Sequence, residues 1–165
     1  MSSFSQKYTI VQLIEDLPDG YEFSMRYWPL HVTLTDVFAI DGNWINLLDD
    51  LKLSFDKIQT PLFSEVVAND LFGEDRSIKV KLLMKTDELQ NLHDKIIYDL
   101  ERHGALFNSP QYTKAGFKPH SAEQSTGSLH IGDIVEFRSI TLIDMFPNED
   151  PYHRKVLGTI RFSKI

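Results

Sequence analysis

Pro29-Leu30-His31-Val32-Thr33-Leu34 reads with the period of two that a β-strand imposes. Over the strand expected from His31 to Phe38, Val32 and Leu34 fall on one face, while His31, Thr33 and Thr35 fall on the other. One face packs and the other presents an imidazole with hydroxyls. A second proline-led histidine, in Lys118-Pro119-His120-Ser121-Ala122, stands in the other half of the chain. Two imidazoles held across one phosphate can remove one proton and deliver another, which is a complete acid-base set for phosphoester chemistry.

Outward from these segments the chain punctuates itself clearly. Tyr8 to Ile14, rich in β-branched and aromatic residues, is expected to be a largely buried strand closed by the turn former Pro18-Asp19-Gly20. Asp41-Gly42-Asn43 is a turn that can cap a short amphipathic helix carrying Trp44, Leu47, Leu48 and Leu51. Pro61 to Ala68 and Ser77 to Met84 are expected to pair as a hairpin around Gly73-Glu74-Asp75. The clearest helix starts at Thr86 as N-cap, has Asp87 and Glu88 at the positive end of its dipole, and stops at Gly104. Its stripe is Leu89, Leu92, His93, Ile96, Ile97 and Leu100, which makes His93 a packing residue.

Beyond the second histidine, the polar run Glu123-Gln124-Ser125-Thr126-Gly127-Ser128 is a surface loop placed to act as a lid. Asp133 to Ile143 and Val156 to Phe162 are expected as strands on either side of the loop Pro147-Asn148-Glu149-Asp150-Pro151. Strands joined by short turns, with two helices interposed, imply an α+β class.

The 165 residues suit one domain, and a hydrophobic fraction of 42% with a charged fraction of 25% is ordinary for a globular protein. A net charge of -7 argues against an extended basic face for duplex nucleic acid. Cysteine is absent, which excludes disulfides and thiolate zinc sites. His103, His130 and His153 lack partners at metal-ligand spacing, so no metal or other cofactor is expected. Met1 to Lys7 carries no leader pattern and no window approaches the ~18 apolar residues of a membrane span; a cytoplasmic location is the reading.

With those residues in view, the chain resembles the 2H phosphoesterase superfamily, which includes the 2′-5′ RNA ligases and cyclic nucleotide phosphodiesterases. His31-Val32-Thr33-Leu34 matches its repeated His-x-Thr/Ser motif in full, with Pro29 ahead of it. Leu71-Phe72-Gly73, the Glu88-Leu89-x-x-Leu92-His93 helix, Gly104 and Phe117-Lys118-Pro119-His120 extend the resemblance over nearly the whole chain. It implies a single bilobal domain over residues 1–165, with two pseudosymmetric lobes, each a small antiparallel sheet with a flanking helix, around a central cleft. The implied activity is metal-independent cleavage of a 2′,3′-cyclic phosphate or 2′-5′ phosphodiester of RNA or a small nucleotide, with His31 and His120 as general acid and base.

The departure is Ala122, a methyl group where the motif has a hydroxyl. Thr33 is the expected phosphate donor, with Lys118 as an electrostatic contributor; Ala122 means either slow catalysis, a substitute donor such as Ser121 or Ser125 from the loop beyond, or a site that only binds. Ser121 reaches the site only if the strand twists or bulges, since residues one apart on a strand face opposite ways. Tyr27, Trp28, Tyr112 and Phe117 flank the motifs, and either stack on a nucleobase, Tyr27 and Phe117 foremost, or fill the core. Lys79, Lys81, Arg154 and Lys155 either touch phosphates or lie on solvated faces. The expected partner is a small nucleotide or an RNA end, not extended duplex nucleic acid or a membrane, taken by a monomer. The rival reading is a nucleotide-binding module of the same fold that lost turnover with the hydroxyl.

Overall fold

The computed structural model describes residues 5–60 and 62–164. Met1 to Phe4, part of the segment read for a leader, and Pro61, read as the first residue of a strand, lie outside the described residues. In chain order the elements are β1 (Tyr8–Leu13), β2 (Glu22–Ser24), β3 (His31–Thr33), β4 (Phe38–Ala39), α1 (Trp44–Phe55), β5 (Gln59–Thr60), β6 (Leu62–Phe72) and β7 (Ile78–Leu83). There follow α2 (Asp87–Arg102), β8 (Leu106–Phe107), β9 (His120–Ala122), β10 (Ile134–Phe137), β11 (Ser139–Asp144), β12 (His153–Arg161) and β13 (Ser163–Lys164).

The main sheet runs β10-β6-β7-β9-β3-β1-β11-β12-β2, every neighbour antiparallel, with β4 and β8 branching from β1. Its seam is the pair β3 and β9, the strands that carry the two special histidines, so the lobes are two half-sheets joined at their motifs. α2 packs on the half containing β6, and α1 on the half containing β12. Gly158 of β12 permits the close approach of α1, since a Cβ there would lie 2.4 Å from Leu48 Cδ2.

Both helices form for the reasons legible in their ends. Asn43 accepts from Asn46 N–H at the start of α1, Thr86 accepts from Leu89 N–H at the start of α2, and Gly104 takes φ +71° just past α2. Their apolar stripes, with Val32, Leu34, Phe137 and Ile140 from the sheet, make the main core. A smaller core of Val11, Leu13, Phe23, Ile143 and Val156 is closed by Leu17, Trp28 and Met145. Strand alternation puts this second core on the same face of the sheet as His31 and Thr33, because Val11 is the register partner of Thr33 and Leu13 that of His31.

Two expected strands are divided. The strand read from His31 to Phe38 ends at Thr33, where Leu34 N–H and Thr35 N–H both donate to the Ile10 carbonyl and break the alternation. Thr35, beyond the end of the strand, is buried, and its hydroxyl accepts from Ile10 N–H at 3.0 Å. The strand read from Asp133 to Ile143 is two strands separated by Arg138 alone, β10 pairing with β6 and β11 with β1 and β12. One residue spans only ~7 Å between its neighbours, so the sheet must curl until its β10 end meets β11. Gln12 stabilises the bend: its buried Oε1 accepts from Arg138 N–H and Ser139 N–H at 2.9 and 3.0 Å.

Candidate active site

A cleft of about 580 Å³ opens over the seam, within the range of sites that take small molecules. His31, Thr33, Lys118, His120 and Phe117 all line it, so most of the residues singled out in the sequence converge on one cavity. Thr33 is the register partner of His120 across the antiparallel pair. Continued by two residues, that register sets His31 opposite Ala122. The four positions thus share a face, with each histidine facing the other motif's third residue.

The two imidazoles are held in the same way. His31 Nδ1 lies 2.8 Å from the Pro29 carbonyl, and His120 Nδ1 lies 2.8 Å from the Lys118 carbonyl. A carbonyl can only accept, so in each neutral ring Nδ1 carries the proton and Nε2 keeps a bare lone pair turned away from that carbonyl. Each ring is also backed by an aromatic side chain, Trp28 at 4.8 Å between centroids for His31 and Phe72 at 4.6 Å for His120. Arg154 sits 5.7 Å over Trp28, and its Nη1 donates to the Met145, Pro151 and His153 carbonyls.

Burial pushes the His31 pKa down to about 4; the bond to Pro29 opposes this, and a charge on His120 would lower it further. Burial also pushes His120 down, against the bond to Lys118. Both rings are neutral bases near pH 7, and the mutual repulsion means that they gain protons one after the other.

Other residues are placed differently from their sequence reading. Ser121 is 1% exposed on the opposite face from His120, with its hydroxyl unpartnered, because the register of β9 with β7 runs on without a bulge there. Ser125 donates to the Arg26 carbonyl at 3.0 Å and Thr126 to the Trp28 carbonyl at 2.7 Å. The run from Glu123 to Ser128 is thereby tied beside the loop that carries Trp28 and does not line the cleft, so it is not a lid. Neither serine replaces the hydroxyl missing at Ala122. Tyr27 is 63% exposed and outside the cleft, whereas its neighbour Trp28 lines it. Phe117 lines the cleft but is buried, one face stacked on His93 at 4.0 Å. Lys118 Nζ lies 6.0 Å from the Phe72 ring.

Asp70, Phe72, Gly73, Glu74 and Arg76 form a wall that sequence reading did not assign to the site. The length of β6 and β7 projects this hairpin end to the cleft, and Arg76, 3.5 Å from Asp70, adds a second cation. Among the described residues no three His, Asp or Glu side chains gather where they could hold a metal ion.

No protein-family profile and no curated protein sequence matches the chain. Solved structures do. E. coli LigT complexed with 3′-AMP superposes with a TM-score of 0.58 at 15% identity, covering 96% of this chain and 98% of that one. The fold is that of LigT. A crystal structure of a phosphoesterase matches at a TM-score of 0.55, 16% identity, and 96% and 98% coverage. The LigT complex with NADP+ matches at 0.55, 15% identity, and 98% and 99% coverage. The α+β architecture implied by the 2H phosphoesterase resemblance is thus the one present, and the LigT fold accounts for nearly every residue. No helix among the described residues is long and apolar enough to cross a membrane.

Proposed function

We propose that this chain is a phosphoesterase that cleaves a 2′,3′-cyclic phosphate or 2′-5′ phosphodiester of RNA or a small nucleotide, with His31 and His120 as its acid-base pair. The observation that carries the reading is the pairing of β3 with β9, which sets two identically tethered imidazoles and Thr33 on one face of one cleft. The nucleotides held by the LigT structures, 3′-AMP and NADP+, support a nucleotide as the ligand class.

In hydrolysis, His31 Nε2 takes a proton from water as the water oxygen bonds to phosphorus. The bond from phosphorus to the ribosyl oxygen breaks, and His120 Nε2–H protonates the departing alkoxide, leaving a phosphate monoester and a free hydroxyl. A charge on His120 would lower His31 further, which favours His31 as the base while His120 holds the proton. Charge growing on the non-bridging oxygens is met by the Thr33 hydroxyl, with Lys118 and Arg76 as cations on the cleft wall.

Ala122 favours a second reading, a nucleotide-binding module of the same fold, because no other hydroxyl of β9 or the following loop reaches the vacated position. Hydrolysis of 2′,3′-cyclic nucleotides, measured beside binding of the same nucleotides, separates the two. Turnover abolished by His31→Ala or His120→Ala with binding retained supports the enzyme. Binding without turnover in the unaltered protein leaves the binding module.

A further inference from the structure

His93 lies outside the acid-base pair yet touches the backbone of both half-sites. It projects from α2 and is fully buried, with Nδ1 2.7 Å from the carbonyl of Leu34, the residue that follows Thr33. On the other side its Nε2 accepts from Lys114 N–H at 2.9 Å. A carbonyl takes a proton and an amide N–H gives one, so only the neutral ring protonated on Nδ1 satisfies both. The same ring stacks on Phe117 with planes 4° apart, and Phe117 lines the cleft just ahead of Lys118.

The turn that His93 grips carries a backbone cost. Lys114 has φ 57°, a left-handed backbone disfavoured by any Cβ. Its carbonyl accepts from Gln90 Nε2 at 2.8 Å, so α2 holds both backbone groups of this strained residue. Gly116, close behind, has no room for a Cβ, which would fall on the Gln111 carbonyl. From there the chain runs through Phe117 to the Lys118 carbonyl that tethers His120.

We propose that His93 is a positioning residue that sets the second half-site against the first: clamped between Leu34 and Lys114, its ring fixes where Phe117, Lys118 and His120 stand relative to Thr33 and His31. A packing residue could be apolar; this one has both nitrogens committed to the segments that carry the two motifs. The kinetic consequence rests on the acid-base reading, whereas the geometric claim does not.

The test is imidazole NMR on the full chain, joined to kinetics with a 2′,3′-cyclic nucleotide. In the unaltered protein at neutral pH, the His93 ring is expected to carry its proton on Nδ1 and none on Nε2. His93→Ala is expected to move the His120 resonances and titration while leaving those of His31 nearly in place. It should lower kcat roughly 10- to 100-fold with little change in KM, as a misplaced group does. His93→Gln, which keeps a donor and an acceptor, should recover part of the loss. Leu100→Ala, a buried truncation on the same helix, controls for lost stability and should leave the His120 titration unmoved. A proton on Nε2 of His93, or a His120 titration unchanged in both His93 variants, overturns the proposal. If His93→Ala does not fold, the tautomer and His93→Gln decide it. Absence of turnover in the unaltered protein would instead count against the acid-base reading, with the NMR outcome still deciding the clamp.

Discussion

The two half-sites share a backbone plan and differ in what surrounds it. Each histidine has a proline within the two residues before it, tethers Nδ1 to the carbonyl two residues back and leans on an aromatic ring. The first is a finished pocket wall: Trp28 belongs to the second hydrophobic core, Arg154 lies behind it, and Thr33 supplies a hydroxyl beside the ring. The second is built on a hairpin end and a strained turn, with Phe72 and Lys118 at its edge and a methyl at Ala122. An imidazole can be oriented by very little, one carbonyl and one ring. A hydroxyl two residues after the histidine is present on one side only.

Breaking either half should first show in the histidines. His31→Ala and His120→Ala are each expected to lower kcat by on the order of 10²- to 10⁴-fold, measured by hydrolysis of a 2′,3′-cyclic nucleotide. Equal losses would mean that the halves act as one unit; a much smaller loss at His120 would mean that water replaces the acid. Thr33→Ala removes the remaining hydroxyl and should cost roughly 10²-fold in kcat.

The folding free energy should also record the asymmetry. A histidine whose folded pKa lies below its unfolded value, about 6.5, stabilises the fold fully above 6.5 and loses that contribution as pH falls through the folded value. For His31, with a folded pKa of about 4, the loss between pH 7 and pH 4 is about 3 kcal/mol, readable by denaturant titration at several pH values. His31→Phe should flatten part of that slope. Activity obeys the same depression: kcat/KM is expected to peak below pH 6.5, rising as His31 deprotonates and falling as His120 does. An optimum above pH 7 would reverse the assignment of burial as the dominant influence.

Ala122→Thr would restore a hydroxyl opposite His31, and an increase in kcat of roughly 10-fold is expected, one directed hydrogen bond's worth. No increase would mean that the second half-site works without a donor there.

Much of this was readable from local pattern. α2 announced itself through Thr86, its stripe and Gly104, and the alternation around His31 put Thr33 on its face. The same alternation correctly turned Ser121 away from the cleft unless β9 bulged, which it does not. What could not be read was anything set by long-range pairing. Nothing near Arg138 marks the point where one strand changes partners, because the device that holds the bend is Gln12, far away in sequence. Arg76 reaches the cleft only through the length of a hairpin, and His93 looked like one more residue of an apolar stripe.

By itself, then, the sequence determined which residue types could do acid-base work on a phosphate and which face of their strands they occupy, since a period of two is a property of the backbone. Tertiary structure decided that β3 and β9 pair, that aromatic side chains cover both rings, and that burial lowers their proton affinity. Those outcomes depend on contacts between residues remote in the chain, where register, packing and the exclusion of water are settled only once the sheet has closed around its core.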